Sequence, residues 1–173
     1  AGEQVRTWGP MKDGESGFHA CLNRNKYGIT LDLKTEEGKK VFRRLLKTAD
    51  VACENYKVGV LEKLGFSYEA MREINPRIIY ANITGFGLQG PLAQRPCYDI
   101  VAQAMGGMMD VTGFAGGLPT KVGPAIADNY TGALLAIGIL MALYKRERTG
   151  EGGHVDVAMV DTMIHILDHF IID

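Results

Sequence analysis

Cysteine is scarce. Cys21, Cys53 and Cys97 are odd in number, widely spaced and free of any paired-cysteine motif. That excludes a disulfide framework and a zinc ribbon, and points to reduced thiols in a cytoplasmic setting. Net charge is nearly absent too, at −1 for the chain, so no global field argues for nucleic acid or anionic lipid. Long apolar runs are missing. The longest, Ala133–Tyr144, is too short to span a bilayer and suits a buried helix. The opening Ala1-Gly-Glu-Gln-Val-Arg lacks the charged-then-apolar pattern of a signal peptide. With no internal repeat, low-complexity tract or dividing linker, 173 residues make one domain's worth of chain.

What is present is ordinary for a globular protein. Apolar residues make up 46% and charged residues 23%, enough to build a core. Charge is unevenly placed: residues 23–63 sum to +4 and the remainder to −5. The basic strip is either a solvated helix face or a surface for an anionic ligand.

Patterning alternates strands with helices. The first 27 residues have no clear period and are expected to be loop. Ile29–Leu33 alternates like a strand. Thr35 is expected to cap a helix with acidic Glu36 and Glu37 in its first turn and Val41, Phe42, Leu45 and Leu46 on its apolar face. A strand over Asp50–Glu54 precedes short helices near 59–64 and 68–74. Arg77–Thr84, apolar on both faces, is predicted as a central strand. Tyr98–Met105 suits a helix and 106–120 an irregular segment. A long helix from Asn129 to about Arg148 ends at a Gly150 stop. A strand over His154–Val160 and a last helix close the pattern. The fold class is therefore α/β, a Rossmann-like and mostly parallel sheet with flanking helices.

Two motifs tempt and fail. Gly85-Phe-Gly-Leu-Gln-Gly90 is a literal G-x-G-x-x-G after a strand, which a dinucleotide-binding oxidoreductase would use. That motif needs a helix to start inside it and face a pyrophosphate, whereas Pro91 and Pro96 follow at once. His165 and His169 stand four apart on a helix, a spacing able to hold a metal. Ile166 occupies the place where a zincin carries glutamate, so a polar helix face is favoured and no metal is expected.

Asp128 closes Lys121–Asp128 and opens the long apolar helix. A helix N-terminus favours negative charge, which suits both a helix cap and a carboxylate nucleophile. Local sequence alone favours the cap, a role that contributes about 1 kcal/mol.

Six segments in register carry a family resemblance: Leu22–Lys34, Ala49–Gly59, Ile74–Tyr80 running into Gly85-Phe-Gly, Tyr98–Gly106, Ala127–Gly132 and Arg148–Met159. Together they resemble the family III CoA-transferases (the CaiB/BaiF family), a group that includes formyl-CoA transferase and crotonobetainyl-CoA:carnitine CoA-transferase. The resemblance implies that residues 1–173 are part of the large, CoA-binding domain. A first βα unit, a C-terminal small domain and a glycine-rich loop would lie outside this segment. It makes Asp128 the catalytic carboxylate, attacking an acyl-CoA thioester to form an aspartyl intermediate. It assigns coenzyme A to Leu31, Lys34, Asn55, Tyr56, Lys63, Leu64 and Tyr98. At the position of Lys63 relatives commonly carry arginine, whose two-pronged donor is lost here.

The implied substrates are an acyl-CoA and a small carboxylic acid, with no covalently bound cofactor. The implied assembly is an interlinked homodimer. Trp8 and Phe18 resemble aromatics that surround the acyl site. Related α-methylacyl-CoA racemases place histidine where Tyr98 stands. A phenol with a pKa near 10 is a poor proton shuttle, which favours acyl transfer over racemisation. The remaining alternative is an inactive segment serving as an interaction module.

Overall fold

The computed structural model describes residues 3–168 and divides between Asp32 and Leu33 into two compact units. The first is built on local turn chemistry. After a 3₁₀ turn at Gln4–Thr7, strands β1 (Met11–Lys12) and β2 (Glu15–Ser16) pair antiparallel. Asp13 and Gly14, with φ of 51° and 81°, join them in the left-handed geometry that a two-residue hairpin requires. Ser16 then caps helix α1 (Gly17–Leu22), its hydroxyl accepting the His19 N–H at 3.0 Å. The loop expected over residues 1–27 is thus corrected to a small hairpin and helix. Residues 29–32 are coil rather than the expected strand. Alternation alone cannot make a strand, and neither sheet offers this segment a neighbour.

The second unit holds a parallel sheet in the order β3 (Val51–Glu54), β4 (Ile79–Thr84), β5 (Gly153–Ala158). β4 is central, as its apolar pattern predicts, and five of its six residues are buried. Helices lie on both faces. Helix α2 (Glu36–Leu46) begins at Thr35, whose hydroxyl accepts the Gly38 N–H at 3.1 Å. With α3 (Val60–Lys63) and α4 (Tyr68–Ile74) it buries Leu46, Leu61, Phe66 and Met71 against Tyr80 of β4. Half of the apolar face expected on α2 stays open, since Val41 and Leu45 are exposed.

A second core lies at the carboxyl ends of β4 and β5. Ala102 of α5 (Asp99–Met105), Ala127 of α6 (Ile126–Thr149) and Met159, Val160 and Met163 of α7 (Met159–Leu167) meet there beside Ile83 and Phe86. Gly138 lets α6 approach the sheet closely, because a Cβ there would stand 2.7 Å from Val155. α6 ends as its sequence predicts, with Gly150 at φ 78° returning its N–H to the Arg146 carbonyl.

α6 departs from expectation in two ways. It begins three residues before Asn129. It is also not a buried helix: Ile137, Leu140, Met141 and Tyr144 are exposed, and only 17% of its apolar window is buried. At 24 residues, with a mean hydropathy of 1.6 over its most apolar 18-residue stretch, the helix is long and apolar enough to cross a membrane by length and composition. In this fold one stripe of it covers β4 and β5 while the opposite stripe faces outward.

Its far end is tied down by Arg146. The guanidinium, 8% exposed, donates to the carbonyls of Asp50 and Arg77 and to the Asp50 carboxylate at 2.9 Å. These carbonyls stand at the amino ends of β3 and β4, so α6 runs antiparallel to the strands and starts at their carboxyl edge. Arg146→Ala leaves two carbonyls and a cavity behind. It is expected to lower stability by about 3 kcal/mol, measured as a fall in the urea midpoint at unchanged m-value, with Arg146→Lys recovering only part.

Candidate active site

In open α/β sheets, ligands bind outside the carboxyl ends of the strands. Both groups of candidate residues in the second unit lie along that edge. Asp128 is the third residue of α6, not its cap. Ala125 holds the cap position and supplies no side-chain bond. The cap comes from another element. The buried Asp99 carboxylate of α5 accepts the N–H groups of Ala127 at 2.8 Å and Asp128 at 3.2 Å through Oδ1. Its Oδ2 accepts from Gln103 Nε2 at 2.6 Å, and Gln103 Oε1 accepts the Val122 N–H at 2.9 Å.

This arrangement reverses the electrostatic expectation for Asp128. The N–H groups that would have favoured its charge are already occupied by a carboxylate. Although its side chain is exposed, partial burial first, and then repulsion from Asp99, push its pKa above the ordinary aspartate range. Cys97 shares the environment. Burial, then the charges of Asp128 and Asp99, push its thiol up, so it stays uncharged at neutral pH.

Cys97 also presses on Gly85, where a Cβ would stand 2.2 Å from the cysteine Cβ. The Gly85 carbonyl accepts the Val160 N–H and Thr84 Oγ1 accepts the Gly87 N–H, which fixes the glycine turn on the end of β4. Residues 85–97 are turn, bend and coil, so no helix starts inside Gly85–Gly90 to meet a pyrophosphate. Tyr98, next to Asp99, is 74% exposed at the start of α5.

The other group gathers around the end of β3. Asn55 and Tyr56 follow the strand directly and are exposed. Leu64 packs beside Leu33 on the Leu46–Phe66 core, with Lys63 and Lys34 exposed next to them in sequence. A cavity of about 190 Å³ opens here, lined by Leu33, Phe42, Tyr56, Leu61, Met71 and Tyr80. It is smaller than the ~300–1,000 Å³ of a drug-sized pocket, so it suits a flat ring rather than a whole nucleotide. The Tyr80 hydroxyl donates to Glu54 at 2.8 Å, and burial followed by that bond raises its pKa, keeping it a phenol.

Leu31 belongs to the first unit and is half-buried. In the same unit Trp8 and Phe18 stack at 5.7 Å between centroids. His165 stacks on Tyr130, His169 lies outside the described residues, and among the described residues no His/Cys/Asp/Glu group is arranged to hold a metal.

Asp99, Gln103 and Cys97 were not singled out from sequence. A cap supplied from 29 residues away leaves no local signature, and Asp99 looks like an ordinary acidic residue in a first helical turn.

A family model described as CoA-transferase family III matches residues 1–173. The chain belongs to that family. Among curated relatives, the acetyl-CoA:oxalate CoA-transferase of Acetobacter aceti is 46% identical over 97% of this chain and 43% of its own length. The succinyl-CoA:mesaconate CoA-transferase of Haloarcula hispanica is 43% identical over 96% of this chain and 44% of its own. A crystal structure of a CAIB/BAIF family protein from Brucella suis matches with a TM-score of 0.93 at 45% identity, covering 99% of this chain and 47% of that one. The chain thus spans less than half the length of the family III relatives it matches.

Two outcomes test the geometry. A carboxyl with a raised folded pKa contributes stability below its unfolded pKa and loses it as pH rises through the folded value, so the ionised Asp128 opposes folding at neutral pH. Asp128→Asn is therefore expected to raise Tm at pH 7, with the difference shrinking toward about pH 4. Gly85→Ala is expected to lower Tm. Cys97→Gly added to that variant restores part of the loss, whereas Cys97→Ala, which keeps its Cβ, does not.

Proposed function

We propose that the protein carrying this segment moves coenzyme A between an acyl-CoA thioester and a free carboxylic acid, with Asp128 as the nucleophile. One observation carries the reading. Asp128 is an exposed carboxylate in the first turn of a long helix, at the carboxyl edge of a parallel sheet, with its backbone N–H held by Asp99. Family membership and the activities for which the relatives are named, acetyl-CoA:oxalate and succinyl-CoA:mesaconate transfer, support the same chemistry.

The steps balance without a redox partner or metal. An Asp128 oxygen bonds to the thioester carbonyl carbon, the C–S bond breaks, and CoA leaves as thiolate from a mixed anhydride. The thiolate attacks the aspartyl carbonyl, releasing the first acid as a carboxylate and leaving an aspartyl-CoA thioester. The incoming carboxylate attacks this thioester, giving a new anhydride and thiolate. Thiolate then attacks the new acyl carbon, freeing the Asp128 carboxylate and the product acyl-CoA. A raised carboxyl pKa makes Asp128 the more basic nucleophile, provided it is ionised when it attacks.

For the nucleotide, the cavity beside Tyr56 and Leu64 offers an apolar surface to adenine. Lys34 and Lys63 offer point charges to phosphates, and Asn55 and Tyr98 complete the proposed contacts of this unit. Residues 1–173 belong, on this reading, to the large CoA-binding domain of a cytoplasmic homodimer. The exposed Tyr98 phenol favours transfer over α-proton racemisation.

With acyl-CoA present, hydroxylamine should attack the activated aspartyl carbonyl and release the acid or CoA thiolate, and peptide mapping should place the resulting aspartyl hydroxamate at position 128. An Asp128→Ala protein that gives the same yield as the parent would end the covalent reading.

A further inference from the structure

We infer that Asp99 and Gln103 form a positioning pair that aims Asp128 and primes it for acylation, an inference resting on the proposed role of Asp128 as nucleophile. Asp99 is 9% exposed and Gln103 is fully buried, yet both are polar and every bond they make leads toward the start of α6. Oδ1 of Asp99 holds the Ala127 and Asp128 N–H groups, and Oδ2 takes the Gln103 amide hydrogen at 2.6 Å. The remaining Gln103 oxygen takes the Val122 N–H at 2.9 Å, which pins the loop that feeds into α6. α5 therefore holds the nucleophile at two points, through its own backbone N–H and through the approach loop that precedes it.

A helix cap alone needs only a neutral acceptor such as serine or asparagine. A buried carboxylate does more, because it sets a second negative charge beside Asp128. Two titratable groups bear on Asp128, Asp99 from α5 and the Cys97 thiol from the segment leading into it, while the Lys121 ammonium of the approach loop donates to the Val122 and Gly123 carbonyls. Asp99 is the anion among them that faces the ionised Asp128. When the Asp128 oxygen bonds to the acyl carbon and the thiolate leaves, Asp128 loses its charge. The repulsion from Asp99 is then relieved, which favours the acylated state over the free carboxylate.

The test uses the full chain with two substitutions. Asp99→Asn keeps the shape, removes the charge and turns a second NH₂ toward Gln103. Gln103→Met keeps the volume and removes both of its bonds. In protein labelled with ¹³C-aspartate, the Asp128 carboxyl should titrate at lower pH in Asp99→Asn than in the parent. In single turnover, hydroxylamine-trapped acylation should slow at least tenfold in Asp99→Asn and at least threefold in Gln103→Met, with KM for acyl-CoA within twofold.

An unchanged Asp128 titration together with an unchanged acylation rate in a folded Asp99→Asn protein overturns the inference. If that variant fails to fold, an unchanged rate in Gln103→Met overturns it. A parent enzyme that forms no trapped adduct removes the nucleophile assignment itself. The titration, which needs no turnover, then still decides whether Asp99 acts on Asp128.

Discussion

The candidate site depends on one carboxylate used as a helix cap from a distance. Asp99 gathers two N–H groups from the first turn of α6 and an amide hydrogen from Gln103, while sitting almost out of water. A buried anion is tolerated only where donors surround it, and the start of a 24-residue helix supplies them together with its dipole. Because the cap is external, position 128 keeps its carboxylate free of the backbone. Partial burial, and then the negative charge of Asp99 beside it, make its affinity for a proton rise rather than fall.

The rest of the second unit supports that placement from the opposite side. Arg146 fastens the other end of α6 to the amino ends of β3 and β4, so the helix is held at both termini by polar groups and along its length by β4 and β5. Glycines at 85, 106 and 138 allow close approaches within this unit, each at a spot where a Cβ would meet a neighbouring side chain within 3 Å. The first turn of α6 is thereby anchored through Asp99, with the ring-sized apolar cavity grouped separately around the end of β3.

Much of this architecture was legible because its determinants are local. Thr35 capping α2, the doubly apolar Ile79–Thr84 as the central strand and Gly150 stopping α6 all follow from residues next to one another. Failures came where partners are distant or patterns too short. Ile29–Leu33 has strand alternation but no neighbour in either sheet. The Met11–Ser16 hairpin rests on Asp13-Gly14, a recognisable turn signal flanked by strands of only two residues. Asp128 has the right chemistry for a cap, yet the helix begins two residues before it and takes its cap from α5. Position 128 was legible as the candidate nucleophile through the six family segments. The pair that aims it was not, since Asp99 and Gln103 act across the fold.

Asn82, fully buried at the centre of β4, donates to Asp156 and meets His154 Nε2, both at 2.6 Å and both on β5. These rungs join residues 74 and 72 positions apart, across the whole of α5 and α6. Parallel pairing of this kind closes a very large loop, so the contacts of β5 must offset a large closure entropy. A slip of one residue would turn His154 and Asp156 toward α6 and leave the amide stranded in a dry interior. The amide thus ties strand alignment to its own partners, since any shifted register carries the cost of a buried polar group left unpaired.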